Sequence, residues 1–185
     1  MQPYEAILPL QLKELKLSAI YTDWEQSAIS GEQQGWTYSQ YLSHLCQVEI
    51  QKRQTSRIAR RIKESFLPKN KTLSSLDINA NKTLNSAQIY ALAESDSWIK
   101  QANNLIIFGP SGVGKTHVAS AIAYRQTERG CRVKFYQTSH LVQLLQQAKS
   151  QLRLNEYLVK LDGIPLLVLD DLGYVKKDEH ETSVL

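Results

Sequence analysis

The chain has 185 residues, 42% of them hydrophobic and 22% charged, with a net charge of +4 and two cysteines. That length holds one domain, or a small domain beside a medium one, and the apolar fraction supports a packed core. No stretch has the apolar length of a membrane span, the first residues lack a basic-then-apolar leader, and Cys46 and Cys131 stand apart, so the expectation is a cytoplasmic protein rather than a membrane, disulfide-stapled or zinc-stapled one.

In chain order, residues 7–29 are expected to form one helix, with Leu8, Leu12, Leu15 and Ala19 as a stripe continued by Ile20 and Trp24. Residues 31–35 begin and end in glycine and read as a polar break. Thr37 and Gln40 then have the spacing of a capping box, so a second helix should come next, over residues 38–64. Its first part is mostly apolar at helical spacing through Tyr38, Tyr41, Leu42, Leu45, Val48 and Glu49, and its second part places Arg53, Arg57, Arg60 and Arg61 on one side.

Charge is concentrated in this region. Residues 52–71 carry eight basic residues and one acidic, a local +7 that leaves −3 for the rest of the chain. Four unneutralised guanidinium groups on one face repel unless an anion answers them. Nucleic-acid phosphate is one answer, through release of counterions; a solvated or protein-facing stripe is the other.

Phe66 and Pro68 should end the helix. Residues 69–85 are rich in Asn, Lys, Ser and Thr and read as a linker, with Leu73, Leu76 and Ile78 able to dock on the next domain. A helix over residues 86–100 would bury Ile89, Leu92, Ala93 and Trp98, the last packing under a sheet. Residues 104–108, Asn-Leu-Ile-Ile-Phe, form a short apolar run suited to a buried strand.

The next eight residues organise the chain. Gly109, Pro110, Ser111, Gly112, Val113, Gly114, Lys115 and Thr116 fit G-x-x-x-x-G-K-[ST], the phosphate-binding loop of nucleotide-hydrolysing proteins. Its glycines let successive backbone N–H groups turn inward around phosphates. Lys115 brings a cation to the β- and γ-phosphates, Thr116 a hydroxyl to Mg²⁺, and the helix after the loop its positive end. That helix should cover residues 117–129, with Val118, Ala121, Ile122 and Arg125 at helical spacing and Gly130 as a stop.

Beyond it, residues 132–137 alternate like a strand, Val133 and Phe135 facing one way and Lys134 and Tyr136 the other. Thr138 and Ser139 have the chemistry to cap a helix reaching about residue 152, and Leu154, Leu158 and Leu161 suggest a further helical turn. Residues 165–169 are an apolar strand running into Asp170 and Asp171. A carboxylate there would sit beside the phosphate loop, Asp170 holding Mg²⁺ and Asp171 polarising the attacking water. The order β-α-β-α-β with parallel crossovers gives a sheet covered on both faces. His44, His117, His140 and His180 have no metal or triad spacing and read as structural or exposed.

The stretch GPSGVGKTHVA at residues 109–119, continued by Ile122 and Ala123, resembles the AAA+ proteins grouped around the DnaA initiator, the DnaC-type helicase loaders and the IstB-like transposition proteins. His117, directly after GKT, is characteristic of that group. LLVLDDLGY at residues 166–174 looks specifically like the IstB branch, since DnaC-type loaders more often have glutamate where Asp171 stands. The resemblance implies an α/β P-loop NTPase core of AAA+ type over residues 86–185. It also implies a small helical domain over residues 1–68 that contacts double-stranded DNA or a partner.

It implies in addition an ATP-dependent helper of an insertion-sequence transposase, a homo-oligomer on DNA, with ATP and Mg²⁺ as cofactors. ATP rather than GTP rests on this resemblance, since no N-K-x-D motif is suitably placed. A helicase loader of the DnaC type and a non-catalytic remnant that keeps only binding helices are the alternatives. One departure is expected to matter. AAA+ cores continue past the Asp-Asp strand with two more strands, a polar sensor, an arginine finger and a helical lid, and one of those strands lies between the phosphate-loop strand and the Asp-Asp strand. A chain ending at Leu185 is therefore read as a truncated member with an incomplete core and poor or absent hydrolysis.

Overall fold

The computed structural model describes residues 3–77 and 84–172. These fall into two compact units, residues 1–59 and 60–185, and the boundary lies inside the third helix rather than at the end of it.

The first unit contains α1 (Pro3–Glu14), α2 (Ser18–Gln34) and the larger part of α3 (Tyr38–Ser65). The single helix expected over residues 7–29 is thus two. The chain breaks at Lys16, whose φ of 55° is left-handed. Lys16 N–H donates to Lys13 O at 3.0 Å and Leu17 N–H to Leu12 O at 2.9 Å, the paired bonds that close a helix C-terminus. The restart is stabilised from outside α2. Glu49 of α3, buried at 5% exposure, accepts the Ala19 N–H at 2.8 Å and the Ile20 N–H at 3.3 Å.

Arg53, one turn on, donates to Glu49 Oε1 at 2.8 Å and to Lys16 O at 2.9 Å. Burial alone would push the Glu49 carboxyl up, but the Arg53 guanidinium and the two backbone N–H groups outweigh it, so its pKa is lowered. The same pair caps both sides of the break.

Gly31, expected in a break, lies inside α2; the turn comes at Gly35, left-handed at φ 66°. The capping box forms as expected: Thr37 N–H donates to Gln40 Oε1 at 2.8 Å, and Gln40 N–H to Thr37 Oγ1 at 3.3 Å. Leu12, Ile20 and Leu45 make the core, with Leu8, Leu17, Trp24 and Tyr41 around them. Each fully buried Leu or Ile contributes about 1.5–3 kcal/mol. Leu15, Tyr38 and Leu42, expected in the stripes, are exposed.

The second unit contains the end of α3, α4 (Ser86–Glu94), α5 (Ser97–Lys100), α6 (Lys115–Glu128), β1 (Val133–Gln137), α7 (Thr138–Ser150), α8 (Leu154–Asp162) and β2 (Leu166–Asp170). The helix expected over residues 86–100 is broken in two after Glu94, with Asn85 capping α4 through Gln88 N–H at 3.1 Å. The strands pair in parallel, Val133 opposite Leu166 and Gln137 opposite Asp170. Val133 and Phe135 face α6 in a core with Ala123, Leu67, Leu166 and Val168. Tyr136 turns to the other side, where it pairs with Tyr157 of α8. The Tyr157 phenol is pushed up to about 12, by burial first and then by that hydrogen bond.

A second core joins α4 to α6 through Ile89, Ala93, Val118 and Ile122, with Trp98 against it. Leu73 and Leu76 pack here too, so that part of the linker is docked; Ile78 lies outside the described residues. Gln126 of α6, fully buried, donates through Nε2 to Leu92 O, Ala93 O and Ser95 O at 2.8–3.0 Å and so satisfies the end of α4.

The expected three-stranded core is a two-stranded sheet among the described residues. Residues 104–108 are not a strand, and Ile106 and Phe108 are 67% and 86% exposed. A strand exists only through a neighbour, and among the described residues none lies beside this segment. For the same reason β2, expected to be buried, is only half-buried. No helix among the described residues is long and apolar enough to cross a membrane.

Candidate functional site

The phosphate-loop residues lie where the motif requires, between the irregular segment 104–108 and the first turn of α6. Gly112 and Gly114 have φ of 79° and 94°, and a Cβ at either would meet nothing within 4 Å. Backbone conformation, not crowding, is therefore what calls for glycine there. Gly114 is the N-cap of α6 and supplies no side-chain oxygen, so no side chain of its own closes that helix end, which is the terminus that attracts an anion.

Lys115 folds back over its own loop. Its Nζ donates to Gly109 O at 2.9 Å and Pro110 O at 2.8 Å. Both acceptors are neutral, so the ammonium charge is oriented without being cancelled. One residue further, Thr116 Oγ1 lies 2.9 Å from each carboxylate oxygen of Asp170. Residues 54 positions apart in the chain meet here. A hydroxyl and a carboxylate at one point, beside a cation and a helix N-terminus, form an oxygen set suited to a hard divalent ion on a polyphosphate. Among the described residues no three His, Cys, Asp or Glu side chains form a metal cluster, so phosphate oxygens and water would complete such a site.

Three details escape motif reading. Thr138, expected as a helix cap, is instead fully buried and donates Oγ1–H to Asp170 O at 2.7 Å, tying the ends of β1 and β2 together. It is Gln137 that precedes α7, without a side-chain cap. His117 is held: its Nε2 lies 3.2 Å from Thr72 O and 3.1 Å from Ser75 Oγ. The carbonyl only accepts, so Nε2 carries the proton, and the turn at residues 72–75 is fastened to the first turn of α6. Asp171 leaves β2 in the left-handed region at φ 58°, exposed and away from the Thr116–Asp170 pair's hydrogen bonds.

Two of the four stripe arginines meet a carboxylate within the chain, and a third meets only a neutral carbonyl. Arg53 pairs with Glu49, Arg60 with Glu64 at 3.6 Å, and Arg61 donates to Gly130 O. Arg57 is exposed, and no bond to it appears among the described residues. The expectation of four unneutralised guanidinium groups is corrected accordingly. Both carboxylate partners lie at i,i+4 spacing, a signal already present in the sequence.

The sequence model of the family described as IstB-like ATP binding protein matches residues 10–185. An insertion-sequence ATP-binding protein of Sinorhizobium fredii is 43% identical over 98% of this chain and 61% of its own length. One from insertion sequence IS5376 of Geobacillus stearothermophilus is 30% identical over 92% of this chain and 68% of its own. One from IS21 of Pseudomonas aeruginosa is 29% identical over 96% and 66%. The chain thus spans about three fifths to two thirds of these relatives. Matched over nearly its whole length, it belongs to the family of IstB-like ATP binding proteins.

Proposed function

We propose that the chain binds ATP with Mg²⁺ at the loop of residues 109–116 and assists an insertion-sequence transposase, coupling nucleotide binding to assembly on double-stranded DNA. The observation that carries the nucleotide part is the convergence of Thr116 Oγ1 on Asp170 beside the Lys115 ammonium and the start of α6. The printed names of the relatives support the insertion-sequence context.

The residues divide the work. Backbone N–H groups of the loop and Lys115 hold the phosphates; Thr116 and Asp170 hold Mg²⁺; Asp171 orients and polarises water. When bound, ATP supplies a phosphoanhydride whose binding and cleavage distinguish two states of the protein. His117 fastens the Thr72–Ser75 turn to the helix that begins at Lys115, so the linker is tied mechanically to the loop. On the DNA side, Arg57 and Arg61 are the stripe residues without a carboxylate partner among the described residues.

Coupling is reciprocal, so nucleotide should change DNA affinity. Duplex DNA binding, measured with and without a non-hydrolysable ATP analogue and Mg²⁺, is expected to tighten about 5-fold or more with the analogue. Duplex binding indifferent to the analogue at saturating concentration would contradict the coupling.

A further inference from the structure

We propose a second anion site on the ATPase unit, a phosphate-backbone contact formed by Arg61, Arg132 and Lys134 at the end of the sheet opposite the nucleotide loop. It rests on the DNA-binding reading above and gives that reading a location.

The three cations line one small cleft with Glu64, Val133 and Ile164. Each is fixed by a neutral backbone acceptor: Arg61 donates to Gly130 O, Arg132 Nη1 to Gly163 O at 3.5 Å, and Lys134 Nζ to Glu64 O at 2.6 Å. A carbonyl orients a cation without neutralising it. The carboxylate of Glu64 is engaged by Arg60 at 3.6 Å, so the cleft keeps an excess of positive charge. Each guanidinium carries five N–H donors, and a single hydrogen bond leaves most of them for a phosphate.

Position argues the same way. Arg132 and Lys134 are two residues apart on an extended chain and so point to the same side. They lie at the amino end of β1, while Gln137 at its carboxyl end pairs with Asp170 of the nucleotide site. A strand of this length separates the two sites by roughly 13 Å. Nucleotides bind open α/β sheets at the carboxyl ends of the strands, so this patch answers a different anion.

Arg61 is also seated deliberately. A Cβ on Gly130 would come 3.1 Å from its Nη1, and Gly130 has φ of 99°, so a side chain there would crowd the guanidinium and strain the backbone. Lys134 lies 4.4 Å over the ring of Phe66, which restrains it further. Three restrained cations in one cleft without a free carboxylate complement a polyanion, and a duplex presents one as a continuous line of phosphate charge.

The test is duplex binding by the full chain across about 50–300 mM salt, using a fluorescent duplex, with Arg61→Gln/Arg132→Gln/Lys134→Gln combined. The slope of log K against log salt is expected to become shallower by about 2–3, at roughly 0.9 per lost phosphate contact. The charge-keeping set Arg61→Lys/Arg132→Lys/Lys134→Arg should retain the parent slope. If the neutralised protein fails to fold, Arg132→Gln alone, at an exposed residue, should lower the slope by about 0.9.

An unchanged slope in a folded neutralised protein overturns this site and leaves DNA binding elsewhere intact. A parent protein without salt-dependent duplex binding overturns the DNA reading itself. Loss of polyglutamate binding with an unchanged DNA slope assigns the patch to an acidic protein and also overturns the proposal.

Discussion

Replacing Glu49 by alanine is expected to destabilise the helical unit by about 2–3 kcal/mol, the larger part of what removing one member of a buried pair costs. The carboxylate accepts two backbone N–H groups at the start of α2 and the Arg53 guanidinium. Without it those N–H groups lose their partners where water reaches poorly, and the cap on the Lys16 break goes with them. Arg53 is half in solvent, which keeps the cost below the extreme for a fully buried pair. Hydrogen exchange at Ala19 and Ile20 is the local readout, and their protection should fall about 30–100-fold.

The pH dependence has a definite sign. The folded pKa of Glu49 lies below the ordinary carboxylate value, so the stability it gives is complete above the unfolded pKa near about 4.3. It is lost as pH falls through the lowered folded value. Glu49→Gln should flatten that acid limb; an acid limb of unchanged steepness, or unchanged protection in Glu49→Ala, would contradict the capping role.

The second large effect separates the two aspartates. Asp170→Ala should abolish the increment that Mg²⁺ adds to nucleotide affinity, a loss of about 10–100-fold, while affinity without Mg²⁺ stays near that of the parent. Asp170 is the residue that meets Thr116, so the metal-dependent part of binding should travel with it. Asp171→Asn should behave differently. Asn accepts the left-handed conformation that Asp171 adopts, so the fold and nucleotide affinity should survive while any DNA-stimulated phosphate release falls about 100-fold or more. Identical responses of the two variants would undo the division of roles.

What was legible in the sequence was local. The capping box at Thr37 and Gln40, the long α3, the alternation of β1 and the glycine loop entering α6 all depend on spacings of a few residues. What was hidden depends on distant partners. Nothing between Leu15 and Leu17 announces a break, because Glu49 and Arg53 stabilise it from another helix. Thr138 has the chemistry of a cap but spends its hydroxyl on Asp170, a contact no local pattern carries.

Residues 104–108 teach the same lesson in reverse. Their composition is that of a buried strand, yet a strand needs a backbone beside it, and without one among the described residues the segment is irregular, with Ile106 and Phe108 exposed and Ile107 packed on the α4–α6 core. The arginine stripe misleads for a different reason. Counting positive charges along one helical face overlooks Glu49 and Glu64, each four residues from an arginine. In the candidate site the loop and Asp170 were legible as motifs, whereas the fastening of His117 to the Thr72–Ser75 turn was not.

Whether residues 109–116 hold a nucleotide is decided by equilibrium binding of a fluorescent ATP analogue with Mg²⁺ to the parent and to Lys115→Ala. Lys115 is held by two neutral carbonyls with its charge uncancelled, so its removal takes a charged phosphate contact worth about 1.5–3 kcal/mol. The expected result is saturable, Mg²⁺-dependent binding by the parent, weakened about 10–100-fold in the variant. Equal affinities for the two proteins, or no saturable binding by the parent, would contradict it.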